Sequence, residues 1–149
     1  MSELRELYEE VILDHNRNPQ NFGRRPEPCS HSARGNNPLC GDVVQVHLAV
    51  EDGVIADAAF EGEGCAISTA SASMMTQAVK GKRVEEATKL FERMRSLLTT
   101  GEGPAAGDLG KLAVLGGVKE FPMRVKCATL PWHTLIAALD GGAREVTTE

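Results

Sequence analysis

The apolar residues of this chain change their period at Cys65. Before it, Val44, Val46, Leu48 and Val50 alternate with Val43, Gln45, His47 and Ala49, and Val54, Ala58 and Phe60 continue the pattern beyond Asp52-Gly53. Period two puts alternate side chains on one face of a strand, and Asp-Gly between two such runs is a hairpin turn signal. After it, three stripes recur at helical spacing: Ile67, Ala70, Met74 and Ala78; Ala87, Leu90, Phe91, Met94, Leu97 and Leu98; Trp132, Leu135, Ile136 and Leu139. Gly81 and Gly141-Gly142 end the first and last of these. Another stripe, Leu4, Leu7, Tyr8, Val11 and Ile12, opens the chain and stops between Asn16 and Pro19. Strands first and helices after predict an α+β fold: a small antiparallel three-stranded sheet with helices packed on one face. Ser30 to Arg34 supplies the third, edge strand, and Leu109 to Leu115 a short helix.

A chain of 149 residues suits one core, and residues 1–149 are expected to form a single domain. The segment from Thr99 to Asp108, with Gly101, Gly103, Pro104 and Gly107, is then a loop rather than a domain boundary, because the chemistry-bearing residues lie on both sides of it. Aromatic residues make up 4%, so the core is aliphatic, and Met74 and Met75 are expected to pack in it. The net charge is −5 and no basic run is interleaved with aromatics, which argues against a nucleic-acid partner. The first residues alternate charged and apolar groups, and no apolar run reaches membrane-spanning length. A cytoplasmic protein with reduced thiols is expected, and its 4 cysteines are not read as two disulfides.

Three of those cysteines stand apart. Cys40 and Asp42 flank Gly41, and in an extended strand side chains two apart share a face, so the pair can grip one ion. Cys65 follows Gly64 where the helical pattern begins, and Cys127 precedes Thr129-Leu130-Pro131-Trp132, which has the form of another helix start. Helix starts favour anionic sulfur and hence metal binding or nucleophilic sulfur chemistry. Cys40, Asp42, Cys65 and Cys127 together saturate a tetrahedral zinc ion. The spacing is unlike the tight Cys pairs of structural zinc sites, since 25 and 62 residues separate the thiols. Three thiolates and a carboxylate around Zn²⁺ leave an excess of negative charge, which Arg124 and Lys126 beside Cys127 can offset. Cys29 has no ligand-type neighbour and is expected to be a small buried apolar residue. Of the histidines, His47 is placed on the outer face of its strand as a surface residue. His15 is placed at the end of the first helix, His31 on the edge strand where it can approach the site, and His133 in the first turn of the last helix.

Asn37-Pro38-Leu39-Cys40-Gly41-Asp42, Gly62-Glu63-Gly64-Cys65-Ala66-Ile67-Ser68, Ser71-Ala72-Ser73-Met74-Met75 and Phe121-Pro122-Met123-Arg124-Val125-Lys126-Cys127-Ala128-Thr129-Leu130, with Tyr8 to His15 and Asn18-Pro19 ahead of them, form a set of motifs in a fixed order. That set resembles the U-type iron–sulfur cluster assembly proteins, the SufU branch in particular. IscU-like chains carry His where Lys126 stands, within a Leu-Pro-Pro-Val-Lys chaperone motif that Glu120-Phe121-Pro122-Met123-Arg124 replaces here. The stretch between Cys65 and Cys127 looks longer than in those chains, consistent with a SufU-type insertion. The resemblance implies a zinc-bound sulfurtransferase that accepts persulfide sulfur from a PLP-dependent, SufS-like cysteine desulfurase and passes it to a downstream iron–sulfur scaffold or acceptor. By motif position Cys40 is the acceptor, and Asp42, Cys65 and Cys127 are metal ligands. The alternative is a scaffold on which a [2Fe–2S] cluster is assembled.

Overall fold

In a computed structural model of the chain, the described residues are 2–23, 26, 29–37, 41–99, 112, 115, 118, 122–140 and 145–147. Their elements run α1 (Ser2–Arg17), β1 (His31–Asn37), β2 (Asp42–Glu51), β3 (Val54–Glu63), α2 (Ala66–Val79), α3 (Val84–Thr99), α4 (Pro122–Leu139) and β4 (Glu145–Thr147). The three antiparallel strands expected from the sequence are present as β1, β2 and β3, with Ala33 opposite Val46 and Val46 opposite Phe60. The sheet order is β3-β2-β1-β4. Three-residue β4 pairs in parallel with β1, Gly35 opposite Val146, so β1 is an internal strand and not an edge. So short a strand shows no period of its own.

Asp52 and Gly53 both take positive φ, 51° and 77°, as a two-residue hairpin turn requires. The alternation into that turn is interrupted: the register shifts between Ala49 and Val50, where a β-bulge lies. One extra residue reverses which side chains face the core, so Ile55 is fully buried while Val54 is only half-buried.

α4 packs on β1 and β2, α2 on β3, and α1 and α3 pack on α2 and α4. Helix and sheet touch closely at Gly35, where a Cβ would overlap Thr134 Oγ1 and meet Leu130 Cδ1 at 3.0 Å. α2 is buried on several sides, and its small hydroxyl residues serve its neighbours. Ser71 Oγ donates to the Ala128 carbonyl at 2.6 Å and accepts from Trp132 Nε1 at 3.2 Å. Ser73 Oγ accepts the Gln20 N–H and pairs with His15 Nδ1, each at 2.7 Å. His15 is therefore a buried tie between α1 and α2, which its place at a helix end does not reveal. Met74 and Met75 lie in the core, as do Leu112, Leu115 and Val118. The rest of the expected short helix between 109 and 115, and the glycine-rich loop before it, lie outside the described residues. Among the described residues, no helix is long and apolar enough to cross a membrane.

Candidate metal centre

Asp42 opens β2, Cys65 caps α2, and Cys127 lies within α4. One ligand atom from each lies within 4.8 Å of the other two, although 85 residues of chain separate the first from the last. Asp42 is 1% exposed and Cys127 0%, while Cys65 is half-buried.

The entrance to α2 follows from local chemistry. Cys65 has the extended backbone of an N-cap, φ −73° and ψ 169°, and its Sγ accepts the Ser68 N–H at 3.4 Å. Its own N–H donates to Asp42 Oδ1 at 2.8 Å, and its Sγ lies 3.9 Å from Oδ2. Glycine at 64 leaves room for that approach, since a Cβ there would stand 2.8 Å from Asp42 Oδ1 and crowd Ser68 Oγ until these side chains shifted.

Cys127 departs from the sequence expectation. α4 begins at Pro122, so Cys127 lies on its second turn, not ahead of a helix start. Pro131, which suggested that start, is inside the helix. Its missing N–H is the one that would serve the carbonyl of Cys127, four residues back. Burial of Leu130, Trp132 and Leu135 outweighs the roughly 3 kcal/mol that an interior proline costs. The sulfur of Cys127 is met instead by Asn37, whose Nδ2 donates to it at 3.7 Å. Asn37 is 1% exposed, and nothing in its local sequence marks it as part of the centre.

The structure thus brings Asp42, Cys65 and Cys127 together. Cys40, the fourth expected ligand, lies outside the described residues. Arg124 and Lys126 are exposed on the early turns of α4. Arg124 is three residues before Cys127 and shares its side of the helix, whereas Lys126 is turned about 100° away. The remaining histidines do not join the centre. His31 is at the far end of β1 from Asn37, with Nδ1 2.8 Å from Ser30 Oγ. His133 lies mid-helix against Phe91, with ring centroids 5.3 Å apart, and burial together with the Arg95 charge lowers its pKa from the ordinary 6.5. His47 is not a surface residue: it is 5% exposed, with Nδ1 2.9 Å from Ser32 Oγ and Nε2 2.9 Å from Glu61 Oε2. Cys29 is half-buried, its sulfur 3.3 Å from the same Ser32 hydroxyl. Cross-strand neighbours, not the strand's outer face alone, decided the burial of His47.

The gathered set fits a divalent metal. A tetrahedral zinc with sulfur at about 2.3 Å and oxygen at about 2.0–2.2 Å spaces its donors by about 3.5–3.8 Å. The Cys65–Asp42 distance of 3.9 Å already matches, and the outer limit of 4.8 Å needs a contraction of about 1 Å. Each of the three residues also receives an N–H from another described residue, the kind of support that orients metal ligands.

The profile of the NifU-like N-terminal domain matches residues 7–128. The zinc-dependent sulfurtransferase SufU of Bacillus subtilis (strain 168) is 44% identical over 139 residues, which are 91% of this chain and 93% of that protein. The iron–sulfur cluster assembly scaffold protein IscU of Streptococcus pyogenes serotype M1 is 41% identical over 143 residues, 96% and 89% of the two chains. A crystal structure of a candidate iron–sulfur cluster assembly scaffold of the SUF system from Fervidobacterium islandicum AW-1 superposes with a TM-score of 0.83 at 35% identity, covering 90% of this chain and 97% of the other.

Proposed function

We propose, from the premise that this chain belongs to the family of NifU-like N-terminal domains, that it works in iron–sulfur cluster assembly as a zinc-dependent sulfurtransferase. The observation that carries this reading is the Asp42, Cys65 and Cys127 donor set, drawn from a strand start, a helix cap and a helix interior to one point. Its likeness to a relative named as a zinc-dependent sulfurtransferase supports it. Cys40, two residues from Asp42, completes the set and is the acceptor.

The bound zinc keeps the thiols ionised and, having no redox chemistry of its own, spares them oxidation. Everything else is done by the chain. Buried Asp42 holds the α2 entrance closed through the Cys65 N–H, so Cys65 stays where its sulfur belongs. Arg124, exposed on the same side of α4 as Cys127, offsets the negative charge of the centre. Cys40, as thiolate, attacks the outer sulfur of a persulfide carried by a PLP-dependent, SufS-like cysteine desulfurase. A sulfur–sulfur bond forms on Cys40, the bond between the two persulfide sulfurs of the desulfurase breaks, and the desulfurase cysteine leaves as thiolate. A downstream scaffold or acceptor then takes the sulfur.

Turnover with the desulfurase, followed by alkylation and peptide mass spectrometry, tests the assignment: persulfide belongs on Cys40, and label confined to Cys65 or Cys127 overturns it. The likeness to a relative named as a scaffold favours one second reading, in which a [2Fe–2S] cluster is the cargo assembled here. The purified protein separates the two, since zinc without visible colour supports the sulfurtransferase and a brown chromophore the scaffold.

A further inference from the structure

The three described donors are supported unequally. Asp42 receives the backbone N–H of Cys65, and Cys65 receives the backbone N–H of Ser68. Both come from the mouth of α2, where the first N–H groups of a helix have no carbonyl to serve. Any sequence that starts a helix there provides them. Cys127 does not lie at a helix mouth. It lies on the second turn of α4, and interior helix N–H groups are committed to carbonyls four residues back. An N–H reaches its sulfur from a side chain, the amide of Asn37, 90 positions away in sequence.

Asn37 is fixed from three directions. It ends β1 and pairs with Asp42 in the sheet register. Its carbonyl accepts the Gly41 N–H at 2.8 Å, closing the turn between β1 and β2. Two residues back on the same face of β1, Gly35 abuts Leu130 and Thr134, which sets the height of α4 over the strand. From that backbone the buried amide reaches across to α4, and its Nδ2 lies 3.7 Å from the sulfur of Cys127.

We infer that Asn37 is the positioning residue that replaces a helix start at Cys127, orienting its sulfur and damping its nucleophilicity so that Cys127 stays a resident ligand. An N–H donated to a ligand sulfur withdraws electron density from it, which lowers its reactivity toward electrophiles. The inference rests on reading the centre as a zinc site, and its failure can be told from the failure of that reading.

The test compares wild type, Asn37→Leu, which keeps the bulk and loses the donor, and Asn37→Gln, which keeps an amide on a longer stem. Each is loaded with zinc and alkylated under native conditions, with Cys65 and Cys127 followed separately by peptide mass spectrometry. Each is also exchanged into cobalt and its sulfur-to-cobalt charge-transfer band recorded. The Cys127 to Cys65 alkylation ratio should rise at least about fivefold in Asn37→Leu, and its charge-transfer band should move to lower energy, with Asn37→Gln between it and wild type. An unchanged ratio and band in Asn37→Leu overturn the inference. So does an equal effect of Leu and Gln, because a residue needed only for packing would be disturbed by either. Should Asn37→Leu not fold, Asn37→Ala carries the same comparison. If wild type shows no sulfur-to-cobalt band, the zinc reading falls; the alkylation ratio of the metal-free proteins then decides the role of Asn37 alone.

Discussion

Cys65 sits at the mouth of α2, where the Ser68 N–H faces its sulfur, whereas Cys127 lies inside α4, away from the helix mouth, and Asn37 reaches across to it from β1. The first arrangement is a local event: glycine at 64, cysteine at the cap and the next turn of helix are enough to make it. The second is collective, because the place of Cys127 depends on how α4 rests on β1 at Gly35 and on α2 through Ser71. A ligand at a helix mouth brings its own support. A ligand in a helix interior must have it delivered, and it then inherits the rigidity of whatever delivers it.

The largest expected effect breaks both arrangements together. Removing zinc should lower stability by about 4 kcal/mol when free zinc had stood about 1,000-fold above its dissociation constant, a fall of about 10 °C in melting temperature. An unchanged melting temperature after complete chelation would show that the two regions are held without metal.

Next, Gly35→Val should cost about 3 kcal/mol in urea unfolding, because its side chain must displace Thr134 and Leu130 and with them α4. Gly64→Ala should cost about 1 kcal/mol, since Ser68 Oγ can swing aside, and should act mainly on metal affinity through the Cys65 to Asp42 contact. Equal stability losses from the two would erase the distinction between a collective and a local site.

Ser71→Ala sharpens the comparison from the α2 side. It strips one partner from the Ala128 carbonyl and one from the Trp132 indole, both buried, at a cost of about 2 kcal/mol. Denaturant titration followed by Trp132 fluorescence checks this, and a loss below about 0.5 kcal/mol would show that α4 is held by packing alone.

The smallest effect concerns the outer side of α4. Burial first, and the Arg95 charge second, hold His133 below the ordinary pKa of 6.5, so the unfolded chain takes up its proton at a higher pH than the folded one. The stability this contributes is present above about pH 6.5 and is lost as pH falls through 6.5 towards the folded value. His133→Phe, which keeps a ring against Phe91, should flatten the fall in melting temperature between pH 7 and pH 5. A titration midpoint at or above 6.5 for His133 by NMR would contradict it.

The parts of this molecule legible in its sequence are those whose cause lies within a few residues. The three antiparallel strands, the Asp52-Gly53 turn and the helix from Ala66 followed from the period of apolar residues and from residues that tolerate positive φ. The helix around Cys127 misled for an instructive reason: Pro131 has the form of a first helical residue, yet Pro122 already fills that place, and buried neighbours carry the helix through the second proline. The bulge at Ala49 and Val50 left no mark because one inserted residue is invisible to a two-residue alternation until the partner strand is in view. His47 looked solvent-facing because the burial of an outer-face residue depends on Ser32 and Glu61, which belong to other strands.

By itself, then, the sequence determined the class of the fold and the residue types able to hold a metal, because strand and helix periods, glycine conformations and thiol chemistry are properties of short stretches. Only the tertiary structure decided that Asp42, Cys65 and Cys127 meet, that Asn37 serves a sulfur 90 positions away, and that β4 pairs alongside β1. Those depend on the height and tilt at which α4 lies on the sheet. Gly35 and Ser71, two small residues with no pattern between them, help set that geometry: Gly35 lets β1 and α4 approach where a larger side chain would meet Thr134 and Leu130, and Ser71 ties α2 to the Ala128 carbonyl of α4.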